Sequence, residues 1–596
     1  MKFIIVVFVI LFIHVQMIFS RNYEYILSWE KPNLHSFTVT IQTESSSDTY
    51  TDFMIPAWRP GRYILQNFAA AISEFQAFDA NNQKLSWKKQ DKDTWRVFHK
   101  SNQKLTVKYK FYANTLDAGS SFLGNTMAYI NPSNLFMYVK GDLNSPCTLE
   151  VKMPDTWKAA TSLVPKGNKK WFAESYHLFI DSPSIFSPTI KTIPFKVDGV
   201  DIYCHFQGKY SADEEDEKAL IENVTKIIRE QKAIFGELPL KYYHFIYLIL
   251  PFNIRHAVEH EYCSMFALPE YTTAKGEKFE SLLSITSHEF WHLWNVKRIR
   301  PAALWPYQYA TEAYTTLHWF TEGVTSYYTD LTLLRCGLIT PQQYFKDLAK
   351  TFEDLDNNYA SRIISCCQSS FDSWLVTSVY NHPNHQISFY TQGHRIGFLL
   401  DMELRKVSNG KVSLDDVFKD LYENCYKKNK GVEEDGVQKS CEKLTGKSFQ
   451  EFFDKYIIGT EPIPYNELLK PFDITVKTKP FSSSSYICLG ITRVDKSTGR
   501  VQIVGLNPGS DAADAGLGIK DFIIAIDDKE VTTSNFESFF NNMAVNQKMK
   551  FTVISEGQKV DYGLTFTGKS VPNSIEMVIP KNNKLLNEYM KSKAGY

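Results

Sequence analysis

The pentapeptide His288-Glu289-Phe290-Trp291-His292 constrains this chain more than any other stretch, because its chemistry works only on an α-helix. Positions i and i+4 share one helix face, so both imidazoles can reach a single Zn²⁺ while the adjacent Glu289 points at the water beside it. The reaction class implied is metal-assisted hydrolysis, with Glu289 as the general base. With 14 histidines in 596 residues, the pattern is expected by chance only about 0.02 times.

A catalytic zinc takes three protein ligands and keeps its fourth position for water, so the motif needs one more donor. Glu322, in the run Trp319-Phe-Thr-Glu-Gly-Val-Thr-Ser-Tyr-Tyr328, sits near the start of an apolar-periodic segment able to form a second helix crossing the first. The separation from His292, 322 minus 292 or 30 residues, leaves room for a helix end, a loop and a return. Glu322 is therefore the expected third ligand of one Zn²⁺ per chain. A His-His-Glu set is that of a thermolysin-type catalytic site, whereas structural zinc favours four closed Cys/His ligands.

The chain is too long for one hydrophobic core and should divide into several domains. Its 66 basic and 66 acidic residues balance, which gives no bias towards nucleic acid or anionic lipid. Lys2, the apolar run Phe3 to Ile13 and Ile18-Phe19-Ser20 before Arg21 read as a signal peptide cleaved near Ser20, with residues 1–20 removed. Eleven apolar residues fall short of the roughly 20 that span a bilayer. The expectation is an exported protein, periplasmic or secreted, with no membrane attachment after cleavage. Nine cysteines in an exported chain permit disulfides, and Cys425 with Cys441 is the expected pair; none has C-x-x-C metal spacing.

Residues 21–200 contain short β-branched and aromatic runs, such as Ser36 to Gln42 and Leu105 to Tyr112, between Asn, Asp, Gly and Pro clusters. This predicts an all-β N-terminal domain. From Asp213 the apolar spacing turns helical, with Leu220, Ile221, Val224, Ile227, Ile228 and Ile234, and a strand is expected over Tyr243 to Leu250. The motif segment Ser281 to Arg298 is apolar along one face, Thr340-Pro341 opens a helix towards Leu355, and Ser448-x-x-Glu451 reads as a capping box. Overall the fold class is multidomain α+β. It comprises the N-terminal all-β domain, a thermolysin-like, mainly helical catalytic domain over 201–465, a β-rich module over 472–570, and a tail over 571–596.

His288-Glu-Phe-Trp-His-Leu-Trp-Asn-Val-Lys-Arg-Ile-Arg-Pro301, followed by Glu322-Gly323, resembles the glycyl aminopeptidase family of gluzincin zinc metallopeptidases. Ala57-Trp-Arg-Pro-Gly-Arg-Tyr63 is similar to that family's W-x-P-G-x-Y segment, and Ile387-Ser-Phe-Tyr-Thr-Gln-Gly393 to its Y-Y-x-K-G segment. The resemblance covers most of residues 21–570. It implies that Tyr390 hydrogen-bonds the tetrahedral oxyanion, which a phenol can do as a donor. It also implies that Glu259, in His256-Ala-Val-Glu-His260 where the family shows G-G-L-E-H, binds the substrate's free α-ammonium and restricts cleavage to the first residue. Gly or Ala as that first residue is the family's preference. His256-Ala257 replaces two glycines here, so the space beside the substrate differs and the preference stays open.

Tyr486 to Ile491, Asn507 to Leu517 and Asp521 to Asp527 are similar to a PDZ domain of the bacterial-protease type. That similarity implies a carboxylate loop at Leu489, Gly490 and Ile491 that would take a peptide C-terminus, with the peptide added as a β-strand. An internal brace that binds nothing is the alternative. The leading expectation for the whole chain is a zinc aminopeptidase acting on peptides with a free N-terminus. A zinc endopeptidase, or a catalytically silent PDZ adaptor that only presents peptides, are the other two readings.

Overall fold

The computed structural model describes residues 21–45, 48–270, 276–375 and 382–596. The expected signal segment lies outside them. The described chain forms two compact units, one holding residues up to 188 apart from 57–66 and 116–119, the other holding those two segments and residues 189–596.

The first unit is built from β-sheet. Its seven-stranded sheet contains Tyr23–Ser28, Ser36–Glu44 and Lys104–Tyr112 as neighbours, and two four-stranded sheets accompany it. Strict alternation of buried and open residues along Ser36–Glu44 and Lys104–Tyr112 explains why these runs pair, since period-two hydrophobicity puts Phe37, Val39, Ile41, Leu105, Val107 and Tyr109 on one face. The Ser36–Glu44 and Lys104–Tyr112 strands pair antiparallel along their full length.

The second unit begins with a hairpin, Lys191–Val197 and Val200–Gly208, that joins Tyr242–Leu250, Cys263–Pro269 and His256–Glu259 in one five-stranded sheet. The boundary expected at residue 200 thus falls at the start of the Val200–Gly208 strand, within this sheet. The hairpin's alternation looks the same in either unit, and only its parallel pairing with Tyr242–Leu250 assigns it here. His256–Glu259 is the edge strand, bonded antiparallel to Cys263–Pro269 with Glu259 opposite Ser264.

Helices pack on this sheet. The Glu214–Phe235 helix starts at an Asp213/Asp216 capping box and ends at Gly236 in the left-handed conformation. Its apolar face and the Glu277–Trp291 helix share one core with Trp294, Phe320, Tyr328 and Phe418. The latter helix, which carries the motif, stops at Trp291 with His292 as its C-cap, earlier than apolar spacing to Arg298 suggests. Thr340 caps Pro341–Asp356 as expected, its hydroxyl accepting from the Gln343 N–H. The Ser448 capping box does not form: Ser448 Oγ accepts from Gln450 N–H, and the Phe449 N–H goes instead to Glu442.

All nine cysteines are free thiols, so the expected Cys425–Cys441 disulfide is absent. Cys441 is buried within the helical core, while Cys425 ends the Leu414–Asn424 helix. The C-terminal module has its own core, with Leu489, Ile491, Ile503, Phe536 and Phe551 enclosed by the strands Ile491–Asp495, Val501–Leu506, Phe522–Ile526, Lys548–Ser555 and Gln558–Thr565. A two-stranded ribbon, Thr475–Pro480 with Asn573–Val578, flanks it, and the Ile575 N–H donates to Glu353 of the Pro341–Asp356 helix. The expected tail is not loose. Helix Lys584–Met590 buries Leu586 and Tyr589, and Glu230 accepts from the Lys593 and Ala594 N–H groups. No helix among the described residues is long and apolar enough to cross a membrane.

Candidate active site

One helical turn presents His288 and His292 on the same side of the Glu277–Trp291 helix end. Each ring is fixed through Nδ1. His288 meets Thr329 Oγ1 at 3.0 Å, and His292 donates to the Asn295 carbonyl at 2.6 Å. With Nδ1 engaged, Nε2 of each ring is the free ligand atom, and the carbonyl bond requires the tautomer a metal needs at His292.

Glu322 arrives on a π-helical turn, Trp319–Val324, that runs into the Thr325–Arg335 helix. Its Oε2 stands 3.3 Å from His292 Nε2 and 3.9 Å from His288 Nε2. Asn295 ties this turn to the motif helix: its side-chain amide donates to the Phe320 carbonyl at 2.9 Å and to Thr325 Oγ1 at 3.1 Å, while its own carbonyl holds His292. Asn295 is thus an orienting residue for two ligands. Arg298 lies elsewhere, donating to the Leu293 carbonyl at 2.7 Å.

Tyr390 opens the Phe389–Ser408 helix, capped by Ser388. Gly323 and Gly393 let this helix touch the π-turn. A Cβ at Gly393 would lie 2.0 Å from the Trp319 carbonyl oxygen, and one at Gly323 2.4 Å from the Gly393 Cα. Only two glycines allow that approach, which explains why Glu322-Gly323 and Tyr390-Thr-Gln-Gly393 occur as units. Tyr390 keeps 37% of its surface open and lines a cavity of about 1060 Å³ with Gly61, Tyr63, Ile364, Ser388 and Phe389. His382 and His385 also line that cavity, with ring centroids 4.5 Å apart.

Five carboxylate and imidazole groups, four of them buried, share the centre. Ligand atoms of His288, His292 and Glu322 all lie within 4.8 Å of one another, and so do those of Glu259, Glu289 and His292. Burial, with Glu259 and Glu322 nearby, pushes the Glu289 carboxyl up to about 8 against the opposing pull of His292 and Arg255. Enclosure together with Glu322, Glu259 and Glu289 likewise raises the Tyr390 phenol well above its usual range.

The donor set fits a divalent metal of the zinc type. Two imidazole nitrogens and a carboxylate oxygen converge, the second carboxylate oxygen of Glu322 is buried without a hydrogen-bond partner among the described residues, and both rings are pre-oriented.

Residues 57–66, which hold the aromatic Trp-Arg-Pro-Gly-Arg-Tyr segment, fold into the second unit, beside this centre, and not into the β unit that surrounds them in sequence. The Ala57 N–H donates to the Tyr309 carbonyl at 2.7 Å, Trp58 Nε1 to the Thr311 carbonyl at 2.8 Å, and the Gln66 N–H closes the loop on the Ala57 carbonyl at 2.9 Å. Gly61 abuts the Glu259 carboxylate, and the Tyr63 ring stacks on His318 with centroids 3.7 Å apart. The sequence carries no local signal for the contacts with Tyr309, Thr311, Glu259 and His318, since they join positions roughly 200 to 255 residues apart in chain order.

The Leu489, Gly490 and Ile491 segment lies apart from this centre, in the C-terminal module. Tyr486–Leu489 forms a tight turn, Gly490 adopts a left-handed conformation at φ 87°, and Ile491 begins a strand. The Gly490 N–H donates to the Ile487 carbonyl and its carbonyl accepts from Asn507.

Against family models, residues 24–188 match the peptidase M61 N-terminal domain and residues 281–396 match the M61 glycyl aminopeptidase. The chain belongs to the M61 glycyl aminopeptidase family. The end of the N-terminal match coincides with the end of the first compact unit, and the catalytic match spans every proposed ligand of the M61 centre. As a member of this family the chain is a metallopeptidase. Among solved structures it is similar to an aminopeptidase N family protein from Idiomarina loihiensis, 24% identical with a TM-score of 0.85, covering 96% of this chain and 100% of that one. The two chains therefore share a fold along nearly the whole of this chain. An M1 zinc metallopeptidase from Deinococcus radiodurans is also similar, at 13% identity and a TM-score of 0.46, covering 74% of this chain and 94% of that one. No curated protein matches the sequence.

Proposed function

We propose that this chain is a zinc-dependent aminopeptidase that removes the first residue of peptides with a free N-terminus. The observation that carries this reading is the position of Glu259: a buried carboxylate on an edge strand, beside Glu289 and the ligand His292, with Oε1 lacking a partner among the described residues. Such a group is matched by a cation, and the α-ammonium is the cation a peptide offers next to its first carbonyl.

His288, His292 and Glu322 would hold one Zn²⁺ per chain. When bound, the ion supplies Lewis acidity at the carbonyl and a water that is nucleophilic near neutral pH. Thr329 and Asn295 keep the two imidazoles aimed. Glu289 accepts a proton from the attacking water and delivers it to the leaving amine, and Tyr390 donates a hydrogen bond to the developing oxyanion. Glu259 holds the α-ammonium and so sets the distance from chain start to scissile bond. The family resemblance favours Gly or Ala as the first residue; Ala257 lies on the same strand as Glu259.

A panel of aminoacyl chromogenic substrates and an N-acetylated peptide, each with and without a chelator, tests the reading. Chelator-sensitive cleavage of free but not acetylated substrates is expected. Cleavage of the acetylated peptide makes the chain an endopeptidase, and no chelator-sensitive turnover makes it an adaptor.

The apolar N-terminal run supports export with cleavage near Ser20, which the first residue of the mature protein checks: Arg21 is expected. For the C-terminal module, peptide capture and an internal brace remain distinct. The Gly490 N–H already bonded within its turn, and Asn384 donating to the Leu506 carbonyl, favour the brace. Binding of a C-terminal peptide library to the full chain would reverse that preference.

A further inference from the structure

Tyr63 is a buried phenol that the mechanism above leaves unused. It is 4% exposed, and its hydroxyl has no hydrogen-bond partner among the described residues. The ring cannot wander, because His318 stacks on one face at 3.7 Å while Trp58 and Trp374 pack around it at 6.3 and 6.4 Å. His318 is itself wholly buried, and burial pushes its imidazole down to about 3, so the stack is with a neutral ring.

Tyr63 lines the same cavity as Gly61 and Tyr390. Burial first, then Glu322, Tyr307, Glu259 and Tyr390, raise this phenol well above its usual range. Two residues earlier Gly61 abuts Glu259 Oε2, so the loop makes its turn against that carboxylate and returns past it to Tyr63. Three buried polar atoms of these residues lack hydrogen-bond partners among the described residues: Tyr63 Oη, Glu259 Oε1 and Glu322 Oε1. A buried hydroxyl left so is costly unless a ligand completes it.

Glu322 belongs to the metal-ligand set, with its Oε2 beside both imidazoles, which leaves Glu259 Oε1 and Tyr63 Oη for the substrate. An ammonium has three N–H donors and no acceptor. We infer that the Tyr63 hydroxyl binds the substrate's α-ammonium together with Glu259, accepting one N–H while donating its own proton to a neighbouring carboxylate. The inference rests on the aminopeptidase reading and adds a residue to it. It also accounts for the Trp-Arg-Pro-Gly-Arg-Tyr loop, in which Gly61 walls the carboxylate and Tyr63 supplies the second acceptor.

Two metal-directed inhibitors test it on the full chain, leucine hydroxamate and its des-amino counterpart, which differ only in the ammonium. The wild type should prefer the amino compound. Tyr63→Phe keeps the ring and its stack, and should reduce that preference about tenfold or more, the effect of one charge-assisted hydrogen bond. Inhibition by the des-amino compound and zinc content should stay unchanged. Equal weakening of both inhibitors, or no change in either, overturns the inference. If Glu259→Gln abolishes the preference and Tyr63→Phe does not, Tyr63 alone is excluded. No preference in the wild type instead overturns the aminopeptidase reading, and the ammonium site with it.

Discussion

Gly61 lies so close to Glu259 that a Cβ at position 61 would stand 2.5 Å from Oε2 of that carboxylate. Gly61 also has φ at +78°, a left-handed conformation that costs an L-residue about 1–2 kcal/mol. Gly61→Ala should therefore displace the carboxylate, the loop or both, without touching a metal ligand. The expected result is a fall in kcat/KM of about a hundredfold, the scale of a misplaced binding group. Zinc content measured on the same preparation should be retained.

Glu289 and Glu322 are both buried carboxylates beside His292, yet their substitutions should separate. Glu289→Gln removes a proton carrier and keeps the shape, so turnover should drop about 10²–10⁴-fold while metal analysis still finds one zinc per chain. Glu322→Ala removes a ligand, so metal is lost and added zinc restores activity only at high concentration. A Glu289→Gln protein with full activity would falsify its role as base.

The motif helix and Glu322 were legible because i, i+4 spacing and a return distance are local properties of the sequence. Tyr390 was legible through its neighbours, although the reason for Gly393 appears only where it meets Gly323. The π-turn around Glu322 was not, since nothing in Trp319 to Val324 distinguishes an i→i+5 bond from an i→i+4 one before packing is known. The location of Tyr63 was hidden for another reason: its loop interrupts a β-rich run and reads as part of it, and only contact with His318 and Glu259 moves it to the catalytic unit. Cys425 and Cys441 show the reverse error, an exported composition suggesting a bridge between thiols that stay free. The Lys584–Met590 helix is short, and its burial of Leu586 and Tyr589 cannot be read from seven residues.

Ala257 and Glu259 are two apart on the His256–Glu259 strand and so share a face, while His256 points the other way. The Ala118 N–H donates to His256 Nδ1 at 3.2 Å, which holds that ring against the 116–119 segment. Of the two departures from glycine, Ala257 is then the one on the face that carries Glu259. Ala257→Gly should raise kcat/KM for Leu over Gly as first residue by about tenfold, the scale of one methyl group in a pocket. His256→Gly should leave that ratio within about twofold, the residual scatter expected of a change away from the pocket. Competing aminoacyl substrates in one assay measure both ratios.

Asp415 supports the site from behind. It accepts from Tyr328 Oη at 2.8 Å and pairs with Arg335 at 3.1 Å and Lys593 at 3.2 Å, which fixes the Thr325–Arg335 helix that continues the Glu322 turn and carries Thr329. Burial alone would raise its carboxyl, but Arg335, Lys593 and Arg405 outweigh burial and hold it well below the usual carboxylate range. The folded state therefore binds fewer protons at Asp415 than the unfolded state, whose carboxyl titrates near about 3.9. Its stabilisation is complete above that pH and is lost progressively as pH falls through and below it. Asp415→Asn leaves Arg335 and Lys593 facing a neutral group and should cost about 3–5 kcal/mol at neutral pH, the penalty for breaking a buried pair. Urea midpoints taken from pH 7 downward should show the variant less stable at pH 7, with the gap closing under acid. A gap that stays constant from neutral pH into strong acid would show that the ionised carboxylate contributes nothing there.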